Sequence, residues 1–374
     1  MKTDRSHVLV VFSDVNFSPQ LFGILQELHY QKISFRVVLI GDSKDLIGQQ
    51  IKAQRWNLRI IPKRNKSSSI LNLLTICAEI MRFRPKVLFA SGQFATVIGM
   101  CAAKVLNVPS RIFIRHHSNF HHKYKIRIGI LLDRITNYSS TEIIAVSTVV
   151  KKILISDEAV KSEKVKLIHN GVDLNSFRFE PPNLKLVSTQ NLEKDVLFHV
   201  GVVSRLTEWK GVEYTAAAFV RLHKEFPNSR LHIVGAFADS YSDVTKVLSA
   251  VPENAYTLEK INSNIPLFLR KLDAFVHVPV GTEDEAFGIV YIEALASGIP
   301  CVFTQSGVIH ELDAPDSYAQ IVAFRNSEEI YLSLKRLIQG ENVSKIAVPE
   351  SWLNQFALDV MARSYAELLL GEGR

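Results

Sequence analysis

The chain is predicted to be an α/β protein of two tandem doubly wound, Rossmann-like domains facing a cleft, and three observations predict it. Short apolar, β-branched runs alternate with longer helix-patterned segments. The alternation occurs as two series, separated by a loop-like stretch at residues 181–194. The length of 374 residues is ample for two cores. Such β-α-β-α order builds parallel sheets covered on both faces, which take ligands beyond the carboxyl ends of their strands. The expected domains are residues 1–180 on the acceptor side and 181–350 on the donor side, with 351–374 a C-terminal helix packing back toward the first domain.

The first series opens with the strand H-V-L-V-V-F-S, and Ser18-Pro19 then supplies a cap and a first-turn proline for a helix. R-V-V-L-I-G, a helix near 43–54, L-R-I-I-P, a helix near 67–83, K-V-L-F-A-S, a helix near 94–105, R-I-F-I-R and E-I-I-A-V-S follow. In the second series V-L-F-H-V-G-V-V, L-H-I-V-G, A-F-V-H-V-P, C-V-F-T and Q-I-V-A-F read as strands with amphipathic helices between them. A last amphipathic helix is expected from about Trp352 to Leu370.

Composition excludes several classes. Hydrophobic content of 47% with 22% charged residues is that of a soluble globular protein. The N-terminus has only a five-residue apolar run before Ser13. No apolar stretch approaches the ~20 residues of a membrane span. A cytoplasmic protein is therefore expected, and Cys77, Cys101 and Cys301 read as buried thiols, not as a zinc site. Charge is uneven: residues 1–180 hold 27 Lys and Arg against 13 Asp and Glu, residues 181–374 hold 17 against 24. The basic half suggests an anionic partner such as a phosphorylated lipid or the inner face of a membrane, or simply a solvated basic surface. No nucleic-acid module accompanies it, and no G-x-G-x-x-G follows the first strand, which argues against a dinucleotide site.

The chemistry concentrates in the stretch from Glu283 to Phe303. Glu285 and Glu293 stand eight positions apart with no charged side chain between them. A buried carboxylate needs a partner or a ligand. Gly288 marks a helix start and Ser297-Gly298 with Pro300 its end, so Glu285 falls in the preceding loop and Glu293 one to two turns inside. Backbone N–H groups of Ala286, Phe287 and Gly288 at that N-terminus suit an oxygen-rich ligand. Earlier, G-V-V-S-R-L-T-E-W-K-G puts Arg205 and Lys210 in the turn after a strand, with Gly211 opening a helix, an arrangement suited to a diphosphate.

These residues resemble the retaining GT-B glycosyltransferases of family four, whose hallmark is an E-x7-E glutamate pair. The resemblance extends to Ile168–Phe177 (I-H-N-G-V-D-L-N-S-F) and to the strand at 231–235, and covers most of residues 141–310. It implies that Glu293 binds the ribose of a nucleotide, and that Glu285 holds the donor sugar with the N–H groups of Phe287 and Gly288. Arg205 and Lys210 would bind the diphosphate and stabilise leaving-group charge without a metal or other cofactor. Gly307 and Val308 would lie near the phosphates, Asn170 and Gly171 in an interdomain turn, and Ser147 in a loop facing the cleft. Of His116, His117, His121 and His122, the resemblance puts His116 against the donor sugar, with His117 close behind on the acceptor side. No nearby Cys, Asp or Glu completes a familiar metal set. The family's glycine-rich loop after the first strand is replaced by F-S-D-V-N-F-S-P-Q-L-F-G, and Lys123, Lys125 and Arg127 could instead meet an anionic acceptor. The implied function is transfer of a sugar from a nucleotide-diphosphate donor to a glycan or lipid-linked acceptor, in cell-surface polysaccharide or glycolipid synthesis. The alternatives are a GT-B nucleotide-sugar epimerase and a non-catalytic nucleotide-binding partner subunit.

Overall fold

A computed structural model describes residues 7–13, 15–42, 44–62, 68–178, 197–340 and 348–371. The loop-like stretch expected at 181–194 lies outside them. The chain forms two compact units, Met1–Val172 with Gln355–Arg374, and Asp173–Asn354.

The first unit runs β1 (His7–Ser13), α1 (Pro19–Tyr30), β2 (Ser34–Ile40), α2 (Leu46–Ala53), β3 (Leu58–Ile61), α3 (Ser68–Phe83) and β4 (Val87–Ser91). It continues with α4 (Gln93–Val105), β5 (Ser110–Arg115), α5 (Phe120–Lys123), α6 (Arg127–Ser139), β6 (Glu142–Ala145), α7 (Thr148–Lys152) and β7 (Val165–Leu167). Its strands are all parallel, in the order β3-β2-β1-β4-β5-β6-β7. Val8 to Phe12 of β1 form an unbroken buried apolar run, because helices cover the sheet on both sides. With right-handed crossovers, the reversal of strand order at β1 and β4 sends α1 and α2 to one face, and α3, α4 and α6 to the other. Ser18 caps α1 as its sequence suggested, its Oγ accepting from the Leu21 N–H at 3.2 Å.

The second unit holds α8 (Leu174–Phe177), β8 (Phe198–Val203), α9 (Val212–Glu225), β9 (Ser229–Val234), α10 (Tyr241–Leu248), β10 (Tyr256–Glu259) and α11 (Ile265–Leu269). After these come β11 (Ala274–His277), α12 (Ile289–Ser297), β12 (Cys301–Phe303), β13 (Gln320–Ile321), α13 (Ser327–Ile338) and α14 (Glu350–Asn354). The sheet order is β10-β9-β8-β11-β12-β13, again parallel. One core, built on Val200, Val202, Leu231, Ile233, Phe219 and Leu334, lies between this sheet and its helices.

Three features differ from the sequence expectation. Strands β7 and β10 were not anticipated; both are edge strands, short and partly exposed, so their hydrophobic signal is weak. The first unit ends at Val172, ahead of residue 180, because α8 packs against α12 of the second unit. The single helix expected from Trp352 is broken: α14 stops at Asn354, and α15 (Leu358–Leu370) starts afresh and belongs to the first unit. The break has a backbone cause. Val172 N–H donates to Phe356 O at 2.8 Å and Leu358 N–H to Val172 O at 3.0 Å, so residues 356–358 pair with a strand-like partner in place of a helical turn. Helix α15 packs on α1, and its buried Tyr365 meets Phe89 edge-on at 5.7 Å.

Phe356 is fully buried at this junction, its ring edge-on to His169 at 5.1 Å. Phe356→Ala should cost about 3–5 kcal/mol, read as a lower denaturation midpoint in urea; an unchanged midpoint would show that the junction does not hold α15.

Candidate active site

In the second unit the chemistry gathers where β11 ends and α12 begins. Gly288 takes φ +83° at the start of α12, and a Cβ there would meet the Tyr291 ring at 2.4 Å. The turn before the helix therefore folds back tightly, bringing Glu285 over the end of the sheet. Ser306 fixes that turn: its Oγ accepts from the Glu285 N–H at 3.2 Å and donates to Gly281 O at 2.8 Å. Gly307, at φ +56°, lies so close that a Cβ would meet Phe287 O at 2.6 Å and Glu285 Cγ at 2.9 Å. The Val308 N–H donates to Phe287 O at 2.9 Å, so Val308, buried, braces the turn and that N–H is already engaged. Phe287 is buried as well and Ala286 is half-buried.

Glu285 is largely buried and doubly held. Its Oε2 accepts from Lys210 Nζ at 2.5 Å and from His277 Nε2 at 2.9 Å. Burial alone would raise its pKa, but the Lys210 ammonium and the His277 hydrogen bond outweigh it and hold the carboxyl down at about 2. Lys210 reaches this position from the short turn Glu208–Lys210, after which Gly211 caps α9. Lys210 and Glu285, expected from the sequence on a diphosphate and on a sugar, pair with each other in this structure. Arg205 is exposed, and its guanidinium has no hydrogen-bond or ion-pair partner among the described residues.

His277 went unrecognised in the sequence, where it reads as one residue of an apolar strand. It is buried at the end of β11, edge-on to Tyr291 at 4.7 Å, and burial lowers its pKa. Because Nε2 donates to Glu285, Nδ1 carries a lone pair, and that atom is buried without a partner among the described residues. A polar side chain at the carboxyl end of a strand, eight residues before Glu285, is the signal that could have identified it.

Glu293 lies at the fifth position of α12, half-buried, with no partner for its carboxylate among the described residues. Desolvation pushes its pKa up to about 7. Two glutamates on one motif therefore sit in opposite states, one ionised and satisfied, the other reluctant to ionise.

The first unit holds the remaining candidates. His116 follows β5, is exposed, and its Nε2 lies 3.1 Å from Ser91 Oγ. His117 and His121 turn instead to Asp133 of α6: His121 Nδ1 lies 2.6 Å and His117 Nε2 3.3 Å from its carboxylate. These three form a group that could hold a metal, with ligand atoms within 4.8 Å of one another. The same carboxylate, however, pairs with buried Arg115 at 3.1 Å, and Arg115 also pairs with Glu158. A cation would have to displace or face that guanidinium, so the cluster fits an internal hydrogen-bond network better than a metal. Burial of Asp133 is outweighed by its hydrogen bond from His117 and by Arg115, which hold its pKa at about 2. Ser147, expected in a cleft-facing loop, is buried, and its Oγ caps α7 by accepting from the Val150 N–H at 3.1 Å. Its place immediately before the first residue of α7 selects it as a cap. Asn170 is half-buried beside Gly171, whose carbonyl accepts from Gln20 at 2.9 Å.

Two parallel-sheet, Rossmann-like units in tandem fit an α/β protein of the GT-B fold. The comparisons agree. Residues 22–176 match the family Glycosyltransferase Family 4, and residues 188–349 match Glycosyl transferases group 1, so the chain carries the two glycosyltransferase domains of the GT-B superfamily in tandem. It is 25% identical over 252 residues to the sulfoquinovosyl transferase SQD2 of Arabidopsis thaliana, covering 64% of this chain and 47% of that protein. The chain thus spans about half the length of that relative. It is 24% identical over 309 residues to the capsular polysaccharide biosynthesis glycosyltransferase CapM of Staphylococcus aureus, covering 80% of this chain and 78% of the relative. The crystal structure of Anabaena HepE in complex with UDP-glucose matches with a TM-score of 0.74 at 19% identity, covering 96% of this chain and 99% of that one.

The raised pKa of Glu293 has a stability consequence of definite sign. The unfolded chain ionises this group near 4.5 and the folded chain at about 7, so stability falls as pH rises between those values and the full penalty applies above them. Glu293→Gln should therefore raise the melting temperature near pH ~8, recovering up to about 2–3 kcal/mol, and change it little near pH ~4. Equal effects at both pH values would contradict an unpaired, desolvated Glu293.

Proposed function

We propose that this protein is a retaining, metal-independent glycosyltransferase that moves a sugar from a nucleotide-diphosphate donor to a glycan or lipid-linked acceptor. The single observation that carries the donor side of this reading is Glu293: a half-buried carboxylate without a partner among the described residues, on the helix that follows a built cluster of cation and carboxylate. Leaving a carboxylate in that state costs stability, and a ligand that brings two hydroxyls to it recovers the cost. A ribose supplies such a pair. The exposed guanidinium of Arg205 and the ammonium of Lys210 then suit the two phosphates, and Glu285, released from Lys210, accepts from donor-sugar hydroxyls while His277 keeps it in place.

The transfer itself is read as a front-face exchange. The acceptor hydroxyl oxygen bonds to the anomeric carbon on the side from which the diphosphate leaves, the carbon–oxygen bond to the diphosphate breaks, and the hydroxyl proton passes to a phosphate oxygen. Arg205 and Lys210 stabilise the negative charge that builds on that leaving group. Glu285 is assigned to holding the sugar, with the His277 hydrogen bond keeping its carboxylate in place once Lys210 turns to the phosphates. Similarity to a capsular polysaccharide biosynthesis glycosyltransferase and to an alpha-monoglucosyldiacylglycerol synthase supports an acceptor in surface polysaccharide or glycolipid synthesis.

Two measurements test the reading. A panel of nucleotide sugars that includes UDP-glucose should contain at least one that raises the melting temperature, by about 2.7 kcal/mol of added stability at a hundredfold excess over Kd. Glu293→Ala should abolish that rise, and a panel without any stabilising member would remove the donor assignment. In a transfer assay with the stabilising donor, Glu285→Ala should lower kcat by about 100-fold or more, and the product should keep the donor's anomeric configuration by NMR. A fully active Glu285→Ala enzyme or an inverted product would refute the corresponding part.

A further inference from the structure

Helix α6 buries a polar side. Its fully buried positions are Gly129, Asp133, Thr136, Asn137 and Ser139, its aliphatic Ile130, Leu132 and Ile135 are half-buried, and Ile128, Leu131 and Tyr138 are 74%, 56% and 76% exposed. Polar burial on one side is explained by the Asp133 network with Arg115, His117 and His121. Nothing in that network explains the aliphatic residues on the other side. A water-facing helix normally carries its apolar stripe toward the core, and an exposed stripe of this kind marks a surface that meets something apolar.

The neighbourhood shares the property. Helices α3, α4 and α6 lie side by side on one face of the first sheet, and α3 exposes Ile70, Leu71 and Leu74 by 67%, 61% and 59%. Of the 19 large hydrophobic residues exposed among the described residues, 10 fall between positions 70 and 138. The charge of this stretch is equally one-sided. Residues 68–139 contain ten Lys and Arg but only two acids, Glu79 and Asp133, and both acids are buried and paired with arginines. The exposed Lys123, Lys125, Arg127 and Arg134 therefore border the apolar residues of α6 without any exposed carboxylate in the stretch to offset them.

We infer that the α3–α6 face of the first unit is a docking surface for an anionic lipid bilayer. Aliphatic side chains enter the acyl boundary while lysines and arginines beside them meet anionic headgroups, and each contribution strengthens the other. A nucleic acid would use the cations but offers no apolar medium for Ile128, Leu131, Ile70 and Leu74, which cannot stack on bases as aromatic rings do. No helix among the described residues is long and apolar enough to cross a membrane, so the contact is one of lying on the surface. This inference does not rest on the donor site.

Flotation of the full chain with phosphatidylcholine vesicles, with and without phosphatidylglycerol, tests it. The protein should float with the anionic vesicles and not with the neutral ones, and raised salt should weaken the association. Ile128→Ser with Leu131→Ser, and separately Arg127→Glu with Arg134→Glu, should each reduce the bound fraction by about tenfold or more. All four side chains are exposed, so the melting temperature and its response to a nucleotide sugar should stay as in the unaltered chain, which separates lost docking from lost folding. Absence of binding to anionic vesicles, equal binding to neutral ones, or binding indifferent to the serine pair would each overturn the inference. So would duplex DNA competing fully for the surface while the serine variant keeps its affinity, or a dimer in solution that the serine pair splits into monomers.

Discussion

Glu285 is gripped at one oxygen by an ammonium and an imidazole, and the geometry of the second unit's site depends on that grip. Lys210 arrives from the turn after β8 and His277 from the end of β11, while Glu285 itself stands on the loop into α12. Three separate segments are thereby tied to one atom. The tie explains why the turn tolerates neither a side chain at Gly307 nor one at Gly288, since both would push against Glu285 or the Tyr291 ring under it. It also keeps a carboxylate ionised in a place where burial favours its acid form.

The contrast with Glu293 gives the motif its logic. Both glutamates are withdrawn from water, yet one is surrounded by donors and the other by none among the described residues. On the function proposed above, the open carboxylate of Glu293 is where the donor's hydroxyl groups are held. The cost of that opening is borne by the apolar anchoring of α12, where Tyr291, Ile292, Ala294 and Leu295 are all buried. These buried residues, on both sides of Glu293, are therefore what allows it to remain unsatisfied without unfolding the helix.

Much of this was legible beforehand because it rests on local signals. The alternation of runs, Ser18 with Pro19, and the glycines bounding α12 are written in adjacent residues, and the structure places the corresponding elements within a few positions. What escaped depends on how the chain folds beyond adjacent residues. His277 acquires its role only when the loop folds back over β11. Ser147 lies where a strand meets a helix, which suits a loop ligand and a buried cap equally well, and only the fold decides. The break before α15 is likewise made by Val172, far upstream, which competes for the backbone of residues 356–358. Short edge strands such as β7 and β10 carry too few buried side chains to be distinguished from loops by pattern.

The closing of the first unit by residues 355–371 has a bearing on how the chain is made. During synthesis, β1 through β7 leave the ribosome and can collapse early, but the surface of α1 that α15 covers must wait until the entire second unit has been translated. In the interval Gly23, which ends up against Leu358, and the ring of Phe89, which ends up against Tyr365, have no cover from that helix. The earlier-made unit is thus the later one to be completed, and its unfinished apolar face is where a nascent chain of this protein is most open to chaperone capture or premature association.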